Sequence, residues 1–143
     1  MADTTTTRST TPVMTGLFPN RDSAERAYQG VLDRRLMRIA NALAGRPEDA
    51  PVIECFDGGL QLIARGAAVR VAVAGDAVIE HESVGERRVL ASWRSMRLAD
   101  GDMLRIRRMT SGRIAVVAVE GLELPLVLGS ASTYARAALG GLD

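Results

Sequence analysis

From Val52 onward short apolar runs alternate with turn residues, and that spacing constrains the fold more than any other feature of the chain. Val52–Phe56, Leu60–Ala64, Val69–Ala74, Val89–Trp93, Met103–Arg107 and Ile114–Val119 are six such runs. Between them stand Asp57-Gly58-Gly59, Arg65-Gly66, Gly75-Asp76, Asp100-Gly101-Asp102 and Ser111-Gly112. Glycine and aspartate reach the backbone angles that tight turns require, so each cluster reads as the end of a strand. Strands this short, punctuated this often, predict a sandwich or barrel. In the fifth run Leu104 and Ile106 alternate with Arg105 and Arg107, the pattern of a strand with one wet face. Ile114–Val119 shows no alternation, which predicts a central strand buried on both faces.

The flanks read differently. Met1–Thr11 is rich in threonine and has no hydrophobic period, so residues 1–12 are expected to be a disordered tail, with one folded domain over 13–143. Asp22 and Glu25 have capping-box spacing, and a short helix is expected over Asp22–Gln29, closed by Gly30. A clearer helix follows Asp33. Leu36, Ile39, Ala40 and Leu43 recur at helical spacing, Gly45 is placed as the stop, and Pro47 prevents continuation. Near the other end Pro125 argues against a regular central strand. Ser130 or Ser132 would cap a last helix over Tyr134–Leu139, ended by Gly140-Gly141.

A chain of 143 residues can bury roughly two thirds of its unfolded surface, so it needs no covalent staple. Cys55 is the only cysteine, which rules out an intrachain disulfide and suits a reducing, cytoplasmic setting. No apolar stretch approaches the roughly 18 to 20 residues of a membrane span, and the N-terminus lacks the apolar core of a signal peptide. All 18 basic residues are arginine, the mark of a high-GC coding bias. The net charge of +1 gives no reason to expect nucleic acid or an anionic membrane as partner. The eight arginines between Glu86 and Arg113 read first as a solvated face, with an anion-binding patch as the alternative.

Two segments carry a resemblance. Val31–Glu54, VLDRRLMRIANALAGRPEDAPVIE, resembles a family opening of the form ALDxxALRxANxLxGNPxxAAxLE, and both are followed by a Gly-Gly turn, here Gly58-Gly59. Ser92–Gly141 is similar to PxWRxxRVxAGQxLxLGxxxxGxRAYLAVAGGIDVPxVLGSRSTxLRAGLGG. The family is that of the biotin-dependent carboxyltransferases, with allophanate hydrolase subunit 2 and the C subunit of 5-oxoprolinase. The resemblance implies a mainly β fold, a cyclophilin-like closed β-barrel with two or three short flanking helices.

The departures from the family pattern bear on function. Its glycine-rich N-terminal signature lines the active site, yet Thr15–Asp33 keeps only Gly30 and Asp33 of it. The arginine of GSRST is replaced by Ala131, and the Gly-Gly of AVAGGID by Glu120-Gly121. An arginine fork makes two charge-assisted hydrogen bonds to a carboxylate, and alanine makes none. The chain also ends where a family member would continue into a second domain. Carboxyltransferase activity is therefore not expected, and three readings stay open. The first is a stand-alone, cofactor-independent enzyme that binds a small organic molecule in the barrel mouth for cyclisation or isomerisation in biosynthesis. The second is a subunit of an allophanate hydrolase-like or 5-oxoprolinase-like complex acting on an amide or lactam. The third is a non-catalytic binding or regulatory protein. A homodimer would cover a surface left by a missing second domain, and a second subunit would do the same.

Glu54 and Tyr134 are the candidate catalytic residues. Glu54 matches a family glutamate at the end of the first strand, with a structural hydrogen-bond acceptor as the competing reading. Tyr134 sits at a helix start with Ser130, Ser132 and Thr133, where amides and hydroxyls could hold a carbonyl or carboxylate oxygen, although capping also explains the serines. Trp93 and Arg97 match the family's WRxxRV word as substrate-binding candidates or as residues that close the barrel. His81, the only histidine, lies between Glu80 and Glu82 and has the chemistry of a general base. Its polar surroundings read more simply as a solvated loop. Cys55 beside Glu54 reads as a buried strand residue, since a neighbouring carboxylate disfavours a thiolate. No metal or cofactor motif is present in the sequence.

Overall fold

The computed structural model describes residues 3–5 and 31–124. The expected helices over Asp22–Gln29 and Tyr134–Leu139 lie outside the described residues. Within them, nine strands and one helix are arranged as β1 (Asp3–Thr5), α1 (Arg34–Ala44), β2 (Ile53–Phe56), β3 (Gln61–Arg65), β4 (Val69–Ala74), β5 (Ala77–Ser83), β6 (Glu86–Ala91), β7 (Arg94–Leu98), β8 (Met103–Met109) and β9 (Ile114–Val119). The strands form two antiparallel sheets, ordered β1-β3-β8-β5-β6 and β2-β9-β4-β7. No closed barrel is found among the described residues. Among the described strands the chain passes repeatedly from one sheet to the other, with corners at Gly75 and at Ser92-Trp93.

Two corners show how the residues enforce this. Gly75, at φ 114°, turns β4 of the four-stranded sheet into β5 of the five-stranded one. A Cβ there would lie 2.6 Å from the Ile114 carbonyl oxygen, so glycine is required. At the second corner, between β6 and β7, Trp93 adopts φ 61°, a strained value for a bulky residue. Its amide donates to the Val73 carbonyl at 2.9 Å and its indole nitrogen to Asp76 at 2.6 Å. The Ser92 hydroxyl oxygen accepts from the Ala77 amide at 3.1 Å, tying the two corners together.

The main core lies between the sheets, formed by Ile53, Leu62, Val69, Val71, Val73, Ile79, Leu98, Leu104, Ile106, Val117 and Val119 with smaller neighbours. A second cluster joins α1 to the outer face of the four-stranded sheet. Ala40 and Ala44 meet Ala72, Ala74, Val116 and Ala118, framed by Leu36, Ile39 and Leu43. The small side chains let helix and sheet backbones approach closely. The lack of alternation in β9 follows, because Val117 and Val119 face the core while Val116 and Ala118 face the helix. It is the central strand the sequence predicts, lying between β2 and β4.

The helix ends also fall where the sequence predicts them. The Asp33 carboxylate accepts from the Arg35 and Leu36 amides at 2.9 and 3.0 Å, and Gly45 closes the helix in the left-handed region at φ 71°. Asn41 donates to the Glu48 and Ala50 carbonyls at 3.2 and 2.9 Å, folding the Pro47 loop back onto the helix. Arg46 donates to the carbonyls of Pro51 and Leu122, pinning that loop to the chain beyond β9.

Asp3–Thr5 pairs with Ile63–Arg65 of β3. Two sequence expectations about the strands need correction. Ala77–Ser83, which contains the expected loop around His81, is strand β5. The run Val89–Trp93 is not one strand, because it spans the end of β6 and the corner. In β5 the outward Glu80 and Glu82 meet Arg107 and Arg105 of β8, so ion pairing replaces the apolar signal expected of a strand.

Candidate functional site

Glu54 is 3% exposed and stands on the outer, helix-side face of β2, opposite Val116. Its Oε1 accepts from the Leu32 amide at 2.7 Å and the Asp33 amide at 3.4 Å, the backbone that leads into α1. Burial pushes its carboxyl up. The two amides pull it down without offsetting the burial, and the Asp33 charge adds to the rise. Glu54 thus has a structural task, anchoring the helix entry, and it is also a carboxyl that holds its proton to a higher pH than usual.

Trp93 is 42% exposed and Arg97 is also exposed on β7, an edge of the four-stranded sheet. Arg97 lies directly opposite Arg70 of β4, on the same outer face as α1. Trp93, by contrast, belongs to the corner and shapes it. Neither lies next to Glu54 in the strand order, since β9 and β4 stand between β2 and β7. Ser130, Ser132, Thr133 and Tyr134, with Ala131, lie outside the described residues.

One polar constellation is not legible in the sequence. His81 Nε2 lies 2.8 Å from Asp102 Oδ2, joining β5 to the turn before β8. Asp102 is 3% exposed, and the same oxygen accepts from the Ala99 amide at 2.9 Å. Burial pushes the Asp102 carboxyl up, but hydrogen bonds from the Ser83 side chain, the Ala99 amide and His81, with the His81 charge, outweigh it and hold the group below the usual carboxylate range. Opposite Leu104, His81 lies on the core side of β5 and closes one end of the apolar layer with a polar group. An imidazole gripped at one nitrogen by a buried carboxylate is held in orientation, the arrangement general bases use. In the sequence Asp102 reads only as a turn residue, because its partner lies far away along the chain and no local pattern marks the pair.

Cys55 is buried in β2 on the core side. Burial pushes its thiol up, the Leu60 and Gly58 amides pull it down, and the Asp57 charge raises it. The thiol form is therefore favoured, as expected for a packing residue. On the outer face of the five-stranded sheet, Glu80 Oε2 is buried with no hydrogen-bond partner, while Oε1 lies 3.6 Å from Arg107. Among the described residues no group of three histidine, cysteine, aspartate or glutamate side chains could hold a metal ion.

Comparison with known proteins places this geometry in a lineage. Residues 27–143 match the family model of the carboxyltransferase domain, subdomain A and B. The C subunit of 5-oxoprolinase from Haemophilus influenzae is 30% identical over 118 residues, covering 82% of this chain and 37% of its own length. That of Escherichia coli is 29% identical with the same coverage. Among solved structures, the protein TTHA0988 superposes with a TM-score of 0.64 at 32% identity, over 78% of this chain and 41% of its own. Kluyveromyces lactis urea carboxylase superposes with a TM-score of 0.64 at 26% identity, over 73% of this chain and 9% of its own. The chain thus spans well under half the length of each relative, and over that span it belongs to the carboxyltransferase domain family.

Proposed function

We infer that the chain acts as one part of an amide- or lactam-metabolising assembly of the 5-oxoprolinase kind. The observation that carries this reading is the 30% identity to the C subunit of 5-oxoprolinase, across the region that matches the family model. Opening 5-oxoproline adds water across the lactam C–N bond and releases glutamate. Such chemistry needs a polar cradle for the substrate carboxylate and a group that moves protons at the lactam. On this reading Ser130, Ser132 and Thr133 offer hydroxyls to the carboxylate, while Tyr134 and the raised Glu54 carboxyl exchange protons. Trp93 and Arg97, with β9 and β4 between them and Glu54, take no part in this proton exchange. Ala131, in place of the family arginine, leaves the carboxylate without its bidentate partner and gives that role to another subunit.

The stand-alone cyclase or isomerase reading requires a closed barrel mouth, and the described strands form two open sheets instead. No comparison supports that chemistry. Deleting the gene in its native cell and measuring free 5-oxoproline tests the preferred role. Accumulation, together with recovery of a second subunit on the tagged chain, is the expected result. An unchanged 5-oxoproline pool would sink it.

A further inference from the structure

The segment Val84–Leu98 forms one side of both sheets. β6 ends the five-stranded sheet and β7 ends the four-stranded one, with only the Ser92-Trp93 corner between them. Of the four large exposed hydrophobic residues among those described, three lie in this segment: Val84 at 100%, Val89 at 67% and Trp93 at 42% exposure. An edge strand presents unpaired amides and carbonyls, and proteins blunt it with proline, a bulge, a covering element or charged side chains. Among the described residues β6 has only the last of these, in Glu86, Arg87 and Arg88. β6 contains no proline, and the irregularity in this sheet falls at Val78/Ile79, between β5 and β8. Its arginines point out of the sheet faces, where Arg87 reaches Glu82 and Arg88 reaches Glu86. Among the described residues no strand pairs with the outer edge of β6.

Charge indicates the occupant. Val84–Leu98 carries Arg87, Arg88, Arg94 and Arg97 against Glu86 alone, in a chain whose net charge is only +1. Two copies meeting antiparallel about Arg87 or Arg88 would set arginines opposite each other, which is unfavourable across a strand pair. An extended segment bearing both acidic and apolar residues would instead satisfy the ladder, cover Val89 and set its carboxylates among the four arginines of Val84–Leu98.

We propose that β6, with the adjoining corner at Trp93, is a strand-addition site for an acidic extended segment of a partner protein. The surface follows from edge geometry and charge, whatever reaction the assembly performs. Its failure would therefore leave the lactam-metabolising reading standing, and the reverse holds as well.

The test uses the whole chain and a short capped peptide of alternating glutamate and valine. Trp93, the sole tryptophan, reports by fluorescence, and amide shifts across Glu86–Ala91 report by NMR. The peptide should bind saturably and at least about tenfold more tightly than its lysine–valine counterpart. N-methylating alternate peptide amides should abolish binding by removing the ladder. The R87E/R88E variant should reverse the charge preference, and the milder R87Q/R88Q pair should weaken it if the reversal proves unstable beside Glu82 and Glu86. Equal binding of both peptides, or full binding of the N-methylated one, overturns the proposal. So does self-association of the free chain through β6 in sedimentation, which would make a second copy the occupant.

Discussion

The two sheets share a core yet treat their outer faces in opposite ways. The four-stranded sheet lies beneath α1, where Ala72, Ala74 and Ala118 are fully buried against Ala40 and Ala44. The outer face of the five-stranded sheet carries Glu80, Glu82, Arg87, Arg105 and Val89, with no helix over it among the described residues. A strand covered on both sides tolerates only small or apolar residues, because every added atom must find space between two backbones. A strand covered on one side can use charge pairs instead. The pairing of Arg105 with Glu82 at 2.7 Å is such a case. The lesson concerns tolerance: substitutions should be severe beneath the helix and mild on the wet face.

The largest expected effect lies under α1. Ala72→Leu would force a branched side chain between helix and sheet and should destabilise the fold by about 3 kcal/mol in urea denaturation. If its midpoint matched the unmodified chain, the close helix–sheet contact would be refuted.

Next comes the polar plug at the end of the core. Asp102→Ala leaves the Ala99 amide and His81 without their acceptor and should cost about 2 kcal/mol at neutral pH. The Asp102 carboxyl is held low in the folded state, so the unfolded chain binds the extra proton. Its stabilisation is present above the usual carboxylate range and is lost as pH falls through the lowered folded value. Thermal melts from neutral pH into acid should show a loss of stability that is smaller in Asp102→Asn.

Glu54 should behave in the opposite sense, which sharpens the comparison between the two buried carboxyls. Its folded value is raised, so the folded chain holds the proton longer, and stability falls as pH rises from the usual carboxylate range through that raised value. Glu54→Gln keeps an acceptor for the Leu32 and Asp33 amides and removes this burden. The variant should be at least as stable as the unmodified chain at neutral pH, by about 1 kcal/mol or less. A clear loss of stability there would mean that the anionic form itself is required. The smallest effect belongs to the wet face, where Val89→Thr should stay within about 0.5 kcal/mol by the same denaturation measurement.

Much of this architecture is readable from local pattern. Asp33 and Gly45 bound a helix whose apolar stripe is plain, and the unbroken apolar run Ile114–Val119 predicts the central strand. β5 escapes because Glu80, His81 and Glu82 break the apolar signal, and only their partners on β8 and at Asp102 make a strand of them. Trp93 reads as the end of a strand, whereas its positive φ makes it a corner. Glu54 is recognisable as a notable carboxyl, but its partners at Leu32 and Asp33 depend on where α1 lands.

The sequence by itself determined the helix and its caps, the strand-rich body, the double burial of β9 and, through its shared words, the family. These are local or nearest-neighbour properties, set by periodicity, turn residues and capping geometry. Tertiary structure alone decided which strands share a sheet, that the described strands form two open sheets instead of a closed barrel, and that His81 meets Asp102. Each of these depends on residues far apart in the chain, and the free energy of such contacts arises only once the whole core has formed.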